Sequence, residues 1–474
     1  MNVNDETKQI RRLCIIIISM KNNRKLNSPK TIFKTSILSF QHMFAMLGAT
    51  VVVPILANLS IPVTLITAGI GTVIFYFVTR KKVPVFLGSS FAYLPAMMAI
   101  VGHDKPLGSV AWQQAMGGLV IAIFLTGLVY ILFAIIVKLI GVEKVRSIFP
   151  PRVVGPVIIV LGMLLVPSIL WNNIVANYAL SSNGSLAWKE WTTAIITLLS
   201  IILISAFSKP KSFFKAAPIL LGFMIGYIYA LIIGLVDFTA IQNSDIVVFQ
   251  SLGSLLGFYK YLHFDWGAIV MMVPLAFVTL MEHIGDISAN STVCKKDFFV
   301  DPGIDKTLGG DGLAIMAAAT LGGPPQTTYG ENTAVLVITE NYEPKNIFIA
   351  ALLAIFFGIF SLFGSVIATI PGAVIGGASI VLFGMISASG LRMLIEHKAD
   401  IGRTKDLIVV SVTLAIGLGL GALSVASDII GAVSNYTIDA SFLKVMIGTV
   451  QISPLALATL VAIILNLVIP EPKD

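Results

Sequence analysis

The chain has 474 residues, 57% of them apolar and 12% charged, with a formal charge of +7. Soluble domains carry a charged fraction of about 25%, so this composition, with a mean hydropathy of +0.94, excludes a soluble protein and identifies a polytopic membrane protein. The basic residues are dispersed over short loops, which makes the positive charge a signal of topology and excludes a nucleic-acid-binding surface.

A membrane-spanning helix needs about 20 apolar residues. Taken along the chain, the uncharged stretches and the turn residues between them predict fourteen spans, at 36–57, 62–79, 84–101, 112–138, 153–170, 191–208, 214–236, 266–287, 311–322, 326–340, 346–369, 373–395, 406–424 and 448–469. The apolar run 13–19 is too short to span and lacks a cleavage-site pattern, so it is neither span nor signal peptide. Lys8, Arg11, Arg12, Lys21, Arg24 and Lys25 precede span one, and Arg80, Lys81 and Lys82 follow span two. Lys144, Arg146 and Arg152 follow span four, Lys209, Lys211 and Lys215 follow span six, and Arg392, Lys398, Arg403 and Lys405 follow span twelve. Fourteen spans put these basic loops and both termini on one side, the cytoplasmic one. Cys14 and Cys294 then both face the cytoplasm, where a structural disulfide is not expected. There is no metal-ligand spacing, no nucleotide-binding loop and no nucleophile set, so no metal, no cofactor and no enzymatic activity is expected.

Two segments suggest an internal repeat. PRVVGPVIIVLGM (151–163) and PGAVIGGASIVLFGM (371–385) align with Val153 on Val374 and Gly155 on Gly376, an offset of 221 residues. They begin spans five and twelve, seven spans apart, and a repeat with an odd number of spans is inverted in the membrane, a common plan of secondary transporters. The same seven-span spacing pairs span three with span ten. Both are poor helices, GSSFAYLP (88–95) being rich in small polar residues and GGPPQTTYG (322–330) in glycine and proline. Irregular backbone at membrane depth is tolerated only where protein or a water-filled cavity covers it, and matched broken segments point to a binding site.

Glu282 ends the uncharged run 267–281, inside span eight. A charge at that depth costs a few kcal/mol, about 2.5–3.5 on insertion scales, so it marks a functional position. Glu331, in TTYGENTAV, repeats the arrangement in span ten. Asp286 lies four residues after Glu282, on the same helix face. His283 adjoins Glu282 but points about 100° away around the helix. His42 lies within span one.

Five strings occur in order: SFQHMFAMLGATVVVP (39–54), FLGSSFAYLPAM (86–97), MEHIGD (281–286), DPGIDKTLGGDGLA (301–314) and GGPPQTTYGENTAVLVIT (322–339). Through them nearly the whole chain resembles the nucleobase–ascorbate transporter family, also called nucleobase:cation symporter family 2, and within it the uracil permeases. The resemblance implies an all-α membrane fold of two inverted seven-span repeats, with short extended strands in spans three and ten. It implies a core domain (36–140 and 261–369), a gate domain (141–260 and 370–470), and cytoplasmic tails at 1–35 and 471–474. The implied activity is import of uracil across the plasma membrane by proton symport, core moving against gate, and a homodimer is a family expectation.

In the uracil members the glutamate of the span-eight motif and that of the ENxG motif bind the pyrimidine; these fall on Glu282 and Glu331. Backbone groups at Phe91 and Gly330 complete the implied site. From their positions Tyr93 and Tyr329 flank the proposed cavity and can orient or stack on the ring, Tyr329 against the substrate, with Ser90, Tyr93, His283 and Asn332 around it. Uracil presents N–H donors beside C=O acceptors, so carboxylates can accept from it while backbone N–H groups donate, and charge-assisted bonds are roughly twice as strong as neutral ones. Two departures stand out. Asp286 replaces the histidine that familiar uracil permeases carry in the coupling role, which leaves sodium open as an alternative to the proton. Ala334 replaces a motif glycine. Purine and xanthine carriers of the family commonly have Gln at the position of Glu331, so the acid there favours uracil; sulfate transporters share the seven-plus-seven plan, and the two acids oppose an anion.

Overall fold

The computed structural model describes residues 29–102, 105–141, 143–144, 147, 149–175, 187–209, 212–242, 252–396, 399–433, 446–447, 450–451 and 453–470. The N-terminal tail with Cys14, residues 471–474 and the side chain of Glu331 lie outside the described residues. The first helices are α1 (Pro29–Leu56) and α2 (Ile61–Val78); after strand β1 (Leu87–Ser89) and a 3-10 turn (Phe91–Tyr93) come α3 (Leu94–Val101) and α4 (Val110–Ile140). Next are α5 (Pro151–Leu170), α6 (Ala187–Phe207), α7 (Pro218–Ile232), α8 (Trp266–Met272), α9 (Leu275–Cys294) and α10 (Ile304–Thr320). Strand β2 (Gln326–Thr328) leads into α11 (Gly330–Thr339), followed by α12 (Pro344–Ile359), α13 (Ser361–Ala368), α14 (Gly372–Glu396), α15 (Thr404–Val433) and α16 (Pro454–Val468).

Among the described residues eight helices are long and apolar enough to cross a membrane, and nine if α12 and α13, bent by 84°, form one span. The chain is thus a mainly helical, multi-pass membrane protein. Local chemistry sets the element ends. Ser60 caps α2 by accepting from the Val63 amide (3.4 Å), Ser109 caps α4 by accepting from Trp112 (3.2 Å), and Asp265 caps α8 by accepting from Ala268 (3.1 Å). Span eight is two helices because Pro274 interrupts it, and α9 runs on to Cys294. The helix expected at 311–322 instead starts at Ile304; Asp305 and Lys306 hide its first turn from a search for uncharged residues. Only Pro454–Val468 of the expected 448–469 is helical, behind a short hairpin of Met446–Ile447 with Val450–Gln451.

Pro324 and Pro325 lack the N–H groups a helix needs, and extended chain results. β1 pairs antiparallel with β2, Leu87 opposite Thr328, Gly88 opposite Thr327 and Ser89 opposite Gln326. The ladder continues beyond the strands, Ser90 N–H donating to Pro325 O (2.9 Å) and Tyr329 N–H to Phe86 O (3.1 Å). Unsatisfied backbone groups in a membrane cost several kcal/mol each; here each broken segment supplies the other's partners. From α2, Thr72 Oγ1 accepts from the Leu87 amide (2.9 Å).

Small residues let the long helices touch. At the crossing of α4 and α10, a Cβ on Gly127 would lie 2.8 Å from Gly312 O, and one on Gly312 2.9 Å from Gly127 O. The two backbones are in contact there, as small-residue crossings allow. α5 and α14 cross through Gly155 and Gly390 in the same way. Opposite these seams, exposed Leu128, Leu132 and Ile135 on α4 and Leu199, Ile202 and Leu203 on α6 form an apolar outer surface suited to lipid. At one end Arg152 Nη1 pairs with Asp406 (3.0 Å) and its Nε donates to Asn466 (2.8 Å), tying α5, α15 and α16 together. Lys82 Nζ pairs with Asp301 (2.6 Å) and joins the loop before β1 to the loop before α10.

Two outcomes follow from this packing. Gly127→Val should lower stability by about 1–3 kcal/mol through overpacking, read as a lower melting temperature in detergent; an unchanged melting temperature would contradict the seam. The hydrogen bond from Lys82, with Lys306 and Arg80 nearby, holds the Asp301 carboxyl below the usual carboxylate range. Its folded value is depressed, so its contribution is present above the unfolded value of about 3.9 and is lost as pH falls through the folded value. The melting difference between wild type and Asp301→Asn should be small, steady between about pH 7 and 5, and close below about pH 4.

Candidate functional site

α9 carries Glu282, Asp286 and Asn290 at successive helical turns, on one face. Asp286 Oδ2 accepts from the Thr328 hydroxyl at 2.6 Å, and Asn290 Nδ2 donates to Thr333 Oγ1 at 2.9 Å. This face therefore lies along β2 and α11. Asp286 Oδ1 is 3.8 Å from the Cβ position of Gly330, at the N-terminus of α11. Helix N-termini hold N–H groups without intrahelical partners and a positive dipole end, which favours an acid there. Asp286 is half-buried and tied to the strand, not a solvated acid at a helix mouth. Glu282 is also half-buried, one turn away.

Phe91 opens the turn after β1 and Gly330 opens α11 after β2. Because the strands are antiparallel, α3 and α11 leave the ladder in opposite directions with both N-termini against it. Glu331, the second residue of α11, belongs to this first turn by its backbone. α14 and α5 cover the same region. The Phe91 ring meets Phe383 of α14 edge-on at 5.2 Å, and Gly285, between the two acids of α9, faces Met393 of α14 and Ile158 of α5.

The surrounding residues have definite partners. Tyr93 is fully buried with its hydroxyl 2.9 Å from Thr279 Oγ1. The Tyr329 hydroxyl donates to Ser89 O at 2.8 Å and its ring lies on Gly88, behind the strand pair. Asn332 Nδ2 donates to His42 O at 3.0 Å, fixing α11 to α1. Ser90 is buried, and among the described residues its hydroxyl has no hydrogen-bond partner. His283 turns away from Glu282: Nδ1 is 2.6 Å from Asp311 Oδ2 and Nε2 is 2.9 Å from Thr307 Oγ1, all within the protein. Asp311, on α10, is the acid that reading the sequence missed. The signal was available, since Asp311 is an acid among small and apolar residues, as Glu282 is.

Long apolar helices in which two interrupted segments meet beside half-buried acids make a multi-pass membrane protein, and the family and relatives that the chain matches make it a permease, a transporter rather than an enzyme. The chain belongs to the nucleobase–ascorbate family of permeases. Residues 33–426 match the Permease family. The chain is similar to "Uracil permease" of Bacillus caldolyticus, 39% identical over 91% of this chain and 91% of that one. It is similar to "Uracil permease" of Bacillus subtilis (strain 168), 36% identical over 96% of this chain and 97% of that one. Among solved structures it is similar in fold to the transmembrane domain of a cyanobacterium bicarbonate transporter, BicA, with a TM-score of 0.55 and 17% identity, covering 84% of this chain and 96% of that one.

Leaving a buried polar group without its hydrogen-bond partner costs about 1–3 kcal/mol, and more where an acid is involved. Asp311→Leu, which strands His283 Nδ1 of a 2.6 Å contact to a carboxylate oxygen, should therefore lower the melting temperature more than Thr307→Val, which strands Nε2 of a 2.9 Å contact to a hydroxyl. Equal effects would mean that the His283–Asp311 contact is not the stronger tie.

Proposed function

We propose that the protein is a secondary active transporter that imports uracil across the plasma membrane by proton symport. The observation that carries the reading is the position of Asp286: bonded to Thr328 at the end of β2 and close to Gly330 at the start of α11, it brings the acidic face of α9 to the junction of the two broken segments. The relatives named as uracil permeases support uracil as substrate. Glu282 and Glu331 accept from the ring N–H groups, and backbone N–H groups at Phe91 and Gly330 donate to its carbonyls. Tyr329, Tyr93, Ser90, His283 and Asn332 support these groups.

The fold reading is fourteen spans in two inverted repeats, both termini cytoplasmic, with a core of spans one to four and eight to eleven and a gate of spans five to seven and twelve to fourteen. Packing supports this division: α4 lies on α10 and α2 on α12, whereas α5 lies on α14 and α15 on α16. Alternating access is then movement of the acid-bearing group along the apolar contacts of Phe383, Met393 and Ile158. Glu282 is the proton carrier, with Asp286 one turn away to share or relay the proton. A purine or xanthine permease is the runner-up reading. The likeness to solved structures such as BicA, at 17% identity, is one of fold alone, and two acids at the site oppose an anionic substrate.

Uptake by proteoliposomes with proton and sodium gradients imposed separately tests this. An inward proton gradient should drive uracil accumulation, a sodium gradient alone should not, and xanthine should compete poorly; accumulation driven only by sodium would refute proton coupling. Glu331→Gln keeps volume but removes a charge-assisted acceptor, so uracil binding should weaken roughly 30-fold, about 2 kcal/mol. Unchanged affinity in a folded variant would remove Glu331 from the site.

A further inference from the structure

Tyr329 joins three segments that are far apart in the chain. Its hydroxyl donates to Ser89 O (2.8 Å) and accepts from Thr50 Oγ1 on α1 (3.4 Å), while its amide donates to Phe86 O (3.1 Å). Its ring covers Gly88 so closely that a Cβ there would come within 2.5 Å of the tyrosine Cε2 and 2.8 Å of Thr50 Oγ1. The residue is 4% exposed. One side chain from the end of β2 thus holds β1 at two consecutive residues, and it does so from the N-cap position of α11, immediately before Gly330. On the other strand, Ser89 stands two residues before Phe91.

A tyrosine side chain has only two torsions, and a buried hydroxyl with both a donor and an acceptor partner is fixed in direction. We propose that Tyr329 is a positioning residue that sets the spacing of the two backbone turns at Phe91 and Gly330, its hydroxyl acting on β1 and not on the ligand. This rests on the reading of those two turns as the substrate site. The geometry separates the roles of the two parts of the side chain: the ring needs glycine at 88, and the hydroxyl needs the Ser89 carbonyl.

Tyr329→Phe keeps the ring on Gly88 and deletes only the hydroxyl, and Gly88→Ala pushes the ring off β1. In the full-length protein, either change should raise the Kd and KM for uracil roughly tenfold and leave the maximal uptake rate per folded transporter unchanged. Hydrogen exchange at the amides of 87–90 and 326–329 should become faster in the ligand-free protein, and the double variant should lose little more than either single one. Unchanged exchange in ligand-free Tyr329→Phe, or a lower maximal rate with KM unaltered, would overturn the proposal. If wild type binds no uracil, the transport reading fails, and the exchange measurement alone decides whether Tyr329 holds the strands.

Discussion

The pairing of β1 with β2 is the constraint on which the rest of the structure depends. Pro324, Pro325 and the small residues after Gly88 interrupt two segments inside an apolar bundle, where an unpaired amide or carbonyl costs several kcal/mol. Neither interruption is tolerable alone. Together they form a three-residue ladder extended at each end by Ser90 to Pro325 and Tyr329 to Phe86. The pairing fixes two helix N-termini at the ladder, and their partial positive charge suits the acids of α9.

Around the ladder, hydrogen bonds tie the broken segments to whole helices. Thr328 is bound to Asp286 and Thr333 to Asn290 on α9, Asn332 to His42 on α1, and Leu87 to Thr72 on α2. Below Glu282, His283 closes on Asp311 and Thr307 and locks α9 to α10. The contacts to α5 and α14 are of a different kind. Phe91 on Phe383, and Gly285 against Met393 and Ile158, are apolar contacts. The alternating access proposed above would use both kinds of contact, the polar ties keeping the site intact while the apolar wall shifts.

Much of this was legible in the sequence, for physical reasons. The cost of a charge at membrane depth singled out Glu282, and helix-breaking composition singled out 88–95 and 322–330, which overlap β1 at Gly88 and Ser89 and contain β2. Asp286 was identified from its spacing, but its hydrogen bond to Thr328 depends on a partner 42 residues away. Asp311 was missed because a search for uncharged runs started span nine at 311 and left this acid at its edge, whereas the helix begins at Ile304 and carries Asp311 two turns inside. The direction of Tyr329 was also beyond reach. Its residue type suggests stacking on a flat ligand, while Gly88 and the Ser89 carbonyl, supplied by another segment, draw it behind the strands.

The central claim is that the junction of the two broken segments with α9 binds a pyrimidine. A structure determined with uracil present tests it most directly. The account predicts ligand density between Glu282 and the first turns at Phe91 and Gly330, with a Glu331 carboxylate oxygen within hydrogen-bond distance of a ring nitrogen. Density at another place in the fold, with this junction unchanged from the ligand-free protein, would contradict it.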